Sequence, residues 1–560
     1  MRAFRYALFG VLALTVAGCN QPLTVDNTNN PDRDKALASV TDLENFLSTT
    51  YAVMHSGTLG GGGGSFGLQP QLLTQGMENV SGLANFAMGP VSAIPRNQLS
   101  NFPGAQGTLE AYRDFLVVHR AARLATLALV RLQTLSLGSP ARDARARAFA
   151  RFVQGVALGN LALAYDSAVI VTENNSADAL ISLSDYKTVM TTALAYLDSA
   201  ITIATNAPAG GDGFPLPTTW INGRALTAAQ FIQFARSYKA RFRAGVARTP
   251  AERADVTAGG IVDWTKVIGD ANAGISADFN ITMDPTNGWD VAWVQQHYAG
   301  AEWHQMSQFF IGMADTAGLY DPFLAAAPAS RLPFVIRTPD RRFPAGTDRP
   351  AQQAVVVPGN FTTVPYFQNR ATASDRPGDP LQISQYDYVR SLTFSLATRV
   401  GPYPVMTRAE IRLLAAEGYL RAGNVAQAAI LIDSSRVGKG VLPALAGVIT
   451  DTLTAVPGGT ACVPRVPDPA STPAYARSKC GNIWEALKWE YRLETAYTGY
   501  GMWFFAGRGW GDLPQGTAVH RPVPYQELQV RIESFYGLGG VGGAGGSGKG
   551  NYGLFQGGVY

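Results

Sequence analysis

Paired carboxylates on one helix face are the first feature of the sequence that could carry chemistry. Glu490 and Glu494 lie one helical turn apart, with Arg492 between them. Glycosidases use two carboxylates that face each other across a cleft. Carboxylates one turn apart more commonly bridge to neighbouring charged side chains. We therefore expect a structural role for this cluster, and for Glu410 and Glu417. The sequence offers no catalytic residue, and we predict that the protein is not an enzyme.

The five histidines offer little metal chemistry. His297 and His304 are seven residues apart, with Glu302 between them, and could share a helical face. A zinc-binding helix instead places its histidines four residues apart and adds a further ligand. We predict neither a metal nor a cofactor.

A glycine-rich stretch at residues 543–550 nearly satisfies the pattern of a phosphate-binding loop. Gly550 stands where that loop needs a hydroxyl residue to hold magnesium, and neither a strand nor a helix is predicted beside it. We therefore interpret residues 536–560 as a flexible glycine-rich tail.

Aromatic residues crowd a stretch that otherwise looks like a loop. Sugar rings present C–H groups that stack on aromatic side chains, while nearby polar groups satisfy their hydroxyls. A second group joins two asparagine–phenylalanine pairs in an irregular segment near residues 60–107. The predicted ligand-binding residues are Trp289, Trp293, Tyr298, Trp303, Asn85, Phe86, Asn101 and Phe102. The alternative is that these rings fill the interface between an irregular lobe and the helical core.

Cysteine usage indicates export. Cys462 and Cys480 lie in a stretch rich in Pro, Gly and Ser, and in an oxidising compartment we expect them to form one disulfide. The competing interpretation, a metal pair, lacks histidine partners nearby. The third cysteine, Cys19, follows an apolar run of 13 residues that begins after Arg2 and Arg5.

That N-terminal run is too short to span a bilayer, which takes roughly 20 residues. A basic start, a short apolar region and small residues before the cysteine are the parts of a secretory signal. Residues 15–19 (TVAGC) resemble a bacterial lipobox. We predict a signal peptide at 1–18, lipidation of Cys19 and a polar tether at 19–38. An Asp directly after the lipidated cysteine is the usual signal that retains a lipoprotein in the inner membrane. Asn20 occupies that position here, which favours the outer membrane.

Composition limits the partners of the remaining chain. The formal net charge is only +4, and two of those charges belong to the predicted signal peptide. The nearly neutral remainder gives no electrostatic reason to expect nucleic acid, whose binding needs many contacts to phosphates. We predict membrane contact through the lipid only. A hydrophobic content of 46% is enough for a sizeable core.

Apolar stripes at helical spacing dominate the body. Residues 109–137, 142–165, 185–204, 228–248 and 483–497 are predicted to be helical, as is a stretch that begins near Ser39. Residues 406–436 predict a helix, a tight turn and a second helix, which is typical of a tetratricopeptide-like unit. One such unit cannot bury its own apolar face, so we expect the helices to stack. The fold class is mostly α, with one domain at 39–535 and an irregular, loop-rich lobe at about 250–405.

Several of these segments together resemble the SusD/RagB family of outer-membrane nutrient-binding lipoproteins. The similarity runs from the lipobox through residues 147–170 and is plainest in 406–443, followed by Glu490–Glu494, Asp512-Leu513 and Pro522-Val523-Pro524. Pro514 replaces the family's usual basic residue, and the glycine-rich tail is not typical.

This resemblance implies a stack of tetratricopeptide-like helix pairs on the cell surface. Family members bind oligosaccharides, or sometimes peptides, and serve a partner TonB-dependent transporter in the outer membrane. The expected function is therefore capture of a glycan-like nutrient. The alternative is a tetratricopeptide-type envelope scaffold without a nutrient ligand.

Overall fold

The computed structural model describes residues 37, 39–61, 65–80, 88–176, 179–208, 210–294, 305–327, 330–375 and 384–548. Helices dominate it, which confirms the predicted mostly α class. The longer helices are α1 (Val40–Ser56), α3 (Thr108–Arg131), α4 (Pro140–Ala164), α5 (Tyr186–Thr205), α6 (Ala228–Gly245), α8 (Trp264–Asn272), α13 (Arg408–Arg421), α14 (Val425–Arg436), α15 (Ile483–Thr495) and α16 (Met502–Trp510). Shorter ones are α2 (Gln69–Gln75), α7 (Pro250–Ala254), α9 (Gln308–Ile311), α10 (Tyr320–Ala325), α11 (Arg349–Gln353), α12 (Leu392–Leu396) and α17 (Tyr525–Arg531).

Side-chain caps fix where many of the helices begin. Ser139 accepts a hydrogen bond from the backbone N–H of Arg142 at the start of α4, and Thr227 and Gln230 form a reciprocal capping box at the start of α6. These bonds satisfy N–H groups that have no partner inside the helix. Equivalent caps at α1, α5, α13, α14 and α15 come from Ser39, Asp185, Thr407, Asn424 and Asn482.

The helices pack in a continuous series. α1 contacts α3, and α3, α4, α5 and α6 each contact the next. α8 then joins α6 to α13, which contacts both α14 and α15. Successive neighbours therefore bury each other's apolar faces, as expected for stacked helix pairs.

Glycine allows the closest approach in this stack. A Cβ added to Gly159 in α4 would lie 2.1 Å from the ring of Phe242 in α6, and one on Gly155 would lie 2.7 Å from Leu197. Both distances are far inside van der Waals contact, so only glycine fits where α4 crosses its neighbours.

The strands are short and pair in antiparallel twos. They are β1 (Gln98–Leu99) with β10 (Leu538–Gly539), β2 (Ser167–Val169) with β3 (Leu183–Asp185), β4 (Phe279–Met283) with β7 (Gly401–Met406), β5 (Phe367–Asn369) with β6 (Tyr386–Tyr388), and β8 (Arg465–Pro467) with β9 (Ser478–Cys480). The β4–β7 pair spans the loop-rich segment and leads directly into α13. It therefore ties the irregular part of the chain to the helical stack.

The glycine-rich tail is not wholly flexible, and that prediction needs correction. β10 pairs with β1, and Leu538 is buried. The backbone N–H of Ser547 donates to Thr517, and Gly516 donates to Ser547. Residues 537–548 therefore fold onto the body, because their main chain completes hydrogen bonds with two other loops. Residues 549–560 lie outside the described residues, as do residues 1–36 and 38, which include Cys19 and the predicted signal peptide and tether. Within the described part, no helix is both long and apolar enough to cross a membrane.

Candidate functional site

Trp289 and Trp293 are core residues, so the prediction that they present rings to a ligand is wrong. Trp293 is 1% exposed and stacks on Tyr497 with ring centroids 4.7 Å apart. Trp289 is 6% exposed and packs between Tyr51 and His55, at 6.2 and 5.4 Å. Burial of such large rings stabilises the fold, and it leaves no free face for a sugar.

Asn101 and Phe102, which were predicted to bind a ligand, differ in their surroundings. Asn101 is 3% exposed; its side-chain amide donates to the carbonyl of Val523 and accepts from the N–H of Tyr525, at 2.8 and 3.0 Å. Its polar atoms therefore anchor the approach to α17, and its assignment to ligand binding is wrong. Phe102 is 49% exposed, with one edge against Phe535 at 6.1 Å. Phe102 stays a ligand-contact prediction.

Asn85, Phe86, Tyr298 and Trp303 lie outside the described residues, as do His297 and His304. The chain positions that flank two of these segments are adjacent. Val80 and Gln305 exchange main-chain hydrogen bonds of 2.8 and 3.3 Å. The residue before position 81 and the residue after position 304 are therefore neighbours in the fold.

A buried carboxyl group lies just before this junction. Glu78 is 1% exposed, and one of its oxygens accepts the backbone N–H of Tyr497 at 2.5 Å. Burial raises the pKa of Glu78 to about 8, so at neutral pH the group holds a proton. Nothing in the sequence around Glu78 signalled this site.

An open groove runs along α3. It has a volume of about 380 Å3, within the range of small-molecule sites. Its lining combines aliphatic, aromatic and basic side chains from α3, α17 and the loop before β3. The main contributors are Tyr112, Leu116, His119, Arg120, Arg123, Leu180, Glu527, Val530 and Arg531. No local sequence pattern indicates this groove, because its walls come from three distant segments.

Two groove residues are available to a ligand. Arg120 is exposed and Tyr112 is half-buried, and neither side chain forms a hydrogen bond or ion pair within the described ranges. Arg531, in contrast, is held by Glu527 at 2.7 Å and by the carbonyl of Ile181. Leu180 and Val530 expose 64% and 69% of their surface. Tyr112 and Arg120 therefore offer a ring and a guanidinium group beside apolar walls.

His119 supports the groove rather than reacting in it. Its Nδ1 lies 2.7 Å from the carbonyl of Phe115, and its Nε2 lies 3.1 Å from the N–H of Val169. The ring must therefore donate from Nδ1 and accept at Nε2, which fixes a neutral tautomer. Burial lowers the pKa of His119 to about 4, so it stays neutral near pH 7.

The conspicuous carboxylates on the helices are buried in ion pairs. Arg342 contacts both Asp340 and Glu490, at 2.7 and 2.6 Å, and all three side chains are fully buried. Arg253 binds Glu417 at 2.6 Å, and Arg241 binds Glu410 at 2.6 Å. Burial acts to raise the pKa of Glu417, but Arg253 and Arg421 hold it at about 2. These contacts agree with the structural role expected for the glutamates.

Cys462 and Cys480 form the disulfide that the sequence suggested. In the described part of the chain, no group of three or more His, Cys, Asp or Glu side chains is arranged to hold a metal ion.

Comparisons with known proteins identify the fold. No protein-family model and no curated protein match the sequence. A SusD superfamily protein from Bacteroides vulgatus ATCC 8482 has a TM-score of 0.51 and 13% identity, with 88% of this chain and 90% of that chain covered. A SusD homolog from Parabacteroides distasonis ATCC 8503 has the same TM-score and identity, with 88% and 93% covered. At this identity the likeness shows the fold: the chain has the architecture of SusD superfamily proteins.

Proposed function

We propose that this chain, which has the SusD superfamily fold, is a lipid-anchored protein of the outer-membrane surface that captures glycan-like nutrients for a partner TonB-dependent transporter. The fold, shared over 88% of the chain with a SusD superfamily protein, is the observation that carries the proposal. Because a fold alone does not fix a function, the ligand and partner need support from the chain's own residues.

The N-terminal sequence supports the anchor. Residues 15–19 end a short apolar run with a cysteine, and a polar stretch follows. Acyl chains on Cys19 would hold the protein at a membrane, since each buried CH2 group contributes about 0.8 kcal/mol.

The groove along α3 supports binding of a ligand rather than chemistry on it. A sugar ring could stack on Tyr112 while Arg120 donates to its hydroxyls. The carboxylates Glu410, Glu417 and Glu490 are each committed to an arginine. Their buried pairing supports a binding protein over a hydrolase.

The groove also gives the alternative function a specific basis. Leu116, Leu180 and Val530 expose aliphatic surface in the groove, and exposed apolar patches commonly mark protein–protein contacts. A tetratricopeptide-type envelope scaffold would use this surface for a protein partner. The two functions differ in what the groove holds.

A pull-down tests the partner. The full chain, tagged near its C terminus, is purified in mild detergent from its native outer membrane, and co-purifying chains are identified by mass spectrometry. We expect a stoichiometric TonB-dependent transporter. Recovery of unrelated envelope proteins alone would contradict the uptake role and favour the scaffold.

Binding measurements test the ligand. The detergent-solubilised full chain is titrated with a panel of neutral and acidic oligosaccharides by calorimetry, and the ligand that binds is retested on Tyr112→Ala and Arg120→Ala. We expect at least a tenfold loss of affinity in each. Tyr419→Ala, which removes a tyrosine on α13 away from the groove, is the matched control.

The outcomes separate three cases. If Tyr112→Ala and Arg120→Ala lose glycan binding but still co-purify with the transporter, the groove binds the nutrient. If they lose the transporter but still bind glycan, the groove binds the partner and the nutrient binds elsewhere. Absence of binding to every oligosaccharide in the panel, or any measurable turnover of one, would contradict glycan capture.

A further inference from the structure

A second cavity lies where the C-terminal ends of α4 and α6 meet. It has a volume of about 360 Å3 and is more enclosed than the groove along α3. Arg248 and Arg508 line one side, and residues 545–548 of the glycine-rich segment line another. Both arginines are almost fully buried, at 3% and 2% exposure.

The two guanidinium groups are neighbours. Arg248 and Arg508 both donate to the carbonyl of Leu163, at 2.6 and 2.9 Å. Each also donates to two further carbonyls. These are Ala162 and Tyr165 for Arg248, and Val519 and Gly245 for Arg508. The acceptors at 162, 163 and 245 belong to the last turns of α4 and α6, so the arginines cap two helix C termini.

No carboxylate in the described part of the chain forms an ion pair with either arginine. Glu252 is near: one of its oxygens contacts Lys187 at 3.1 Å and the hydroxyl of Tyr186 at 2.8 Å, and the other accepts the backbone N–H of Arg248 at 2.7 Å, so it reaches the main chain of Arg248 and not its guanidinium group. Asp166 accepts the hydroxyl of Tyr536 at 2.7 Å. These two cations therefore differ from Arg342 and Arg253, each of which has a carboxylate in contact.

The helix ends only partly balance this charge. A helix C terminus carries the equivalent of about half a negative charge, so two ends supply about one against two guanidinium charges. Burial lowers the pKa of Arg508, and the positive charge of Arg248 lowers it further. Burial also lowers the pKa of His520, to about 3, and both arginines add to the shift. The negative charge of Glu252 acts in the opposite direction and raises the pKa of both arginines, but in the described part of the chain no carboxylate contacts either guanidinium group.

Donors also remain unused. Each guanidinium makes three of its five possible donations, and the Nε–H groups of Arg248 and Arg508 are buried without a partner. We propose that the cavity between Arg248 and Arg508 binds a small oxyanion, either an inorganic sulfate or phosphate or the carboxylate of an organic acid. Paired guanidinium groups hold such anions through charge-assisted hydrogen bonds.

Thr249 allows a test that leaves the arginines intact. It lines the cavity, and its side chain caps α7 by accepting the N–H of Glu252 at 3.2 Å. Asp and Asn are equally good caps, so Thr249→Asp and Thr249→Asn both preserve the helix start. Only the first adds a carboxylate at the cavity. Arg508→Gln is the direct variant, but it removes contacts to two helix ends and could unfold the protein.

The detergent-solubilised full chain is titrated by calorimetry with sulfate, phosphate, acetate and glucuronate up to 10 mM, with chloride balancing the ionic strength. We expect saturable binding of at least one anion, at least tenfold weaker in Thr249→Asp and unchanged in Thr249→Asn. Binding of sulfate or phosphate alone identifies an inorganic ligand, and binding of acetate or glucuronate identifies a carboxylate. Absence of saturable binding by all four, or equal affinity in the two Thr249 variants, would overturn the proposal.

Discussion

Replacing Arg342 by methionine tests whether the glutamates of α15 are structural. The guanidinium makes four hydrogen bonds of 2.6 to 2.9 Å, two to Asp340 and two to Glu490. All three side chains are fully buried. Methionine would leave two buried carboxylates without the cation that now contacts both of them, and the more distant Arg436 would still act on them. Breaking a buried pair in this way costs about 3–5 kcal/mol, so Arg342→Met should lower the free energy of unfolding by that amount.

Arg399→Met is the matched control. Arg399 contacts Asp290 at a similar distance, 2.8 Å, but both side chains are 20% exposed. Water and salt screen such a pair, and its loss should cost at most about 1 kcal/mol. The assay is urea unfolding at pH 7 followed by circular dichroism.

The pH dependence of stability gives a second test with Arg342→Met. Burial raises the pKa of Glu490 above its usual value, and Arg342 opposes that shift. Without the arginine the folded-state pKa rises further above the unfolded one. The folded state then binds protons more readily than the unfolded chain, so Arg342→Met should lose stability as pH rises from 5 to 8. A loss below 1 kcal/mol, or greater stability at pH 8 than at pH 5, would refute a buried charge network here.

Three further predictions concern packing, covalent stabilisation and acid sensitivity. Gly159→Ala should lower the free energy of unfolding by about 1–3 kcal/mol, because its Cβ would overlap the Phe242 ring, whereas Gly269→Ala in α8, with open space around it, should be neutral or slightly stabilising. Replacing Cys462 and Cys480 by serine should cost about 3 kcal/mol in urea unfolding, because the disulfide closes a loop of 18 residues; an unchanged midpoint would contradict this. Burial lowers the pKa of His55 to about 4, so the unfolded chain takes up this proton first as pH falls below 6.5. His55 alone should therefore lower the free energy of unfolding by about 2 kcal/mol between pH 7 and 5, and His55→Gln should remove that part of the pH dependence while the parts due to His119 and His520 remain.

Of the ten longer helices in the described part of the chain, the sequence predicted eight from apolar stripes at helical spacing and missed two, α8 and α16. α16 contains Gly507 and Gly509 and is buried on every side, so it has no polar face from which a period could be read. α8 did carry a signal. Asp263 caps its start, and Trp264, Val267 and Ala271 form a buried stripe at helical spacing, inside a segment predicted to be irregular.

The candidate sites were harder to predict, for a physical reason. Trp293 and Phe102 are both aromatic residues in loop-like sequence, yet one is buried and the other half-exposed. The difference lies in partners far along the chain, such as Tyr497 against Trp293. The groove and the arginine cavity likewise join segments that no sequence spacing relates. Local pattern identifies residue types that can bind a sugar, and tertiary contacts decide which of them are free to do so.

Buried arginines show how the same side chain takes two roles in this fold. Arg253 and Arg342 have carboxylates in contact, so their charge is balanced and they tie one segment to the next. The guanidinium groups of Arg248 and Arg508 donate to carbonyl oxygens, three of which lie in the last turns of α4 and α6, and the helix ends balance their charge only in part. A buried cation that is fully paired has nothing left to offer a ligand, whereas a partly balanced one beside a cavity gains from an anion. For that reason the cavity beside the glycine-rich segment, and not the glutamate clusters of the helices, is where this chain's unused charge can act.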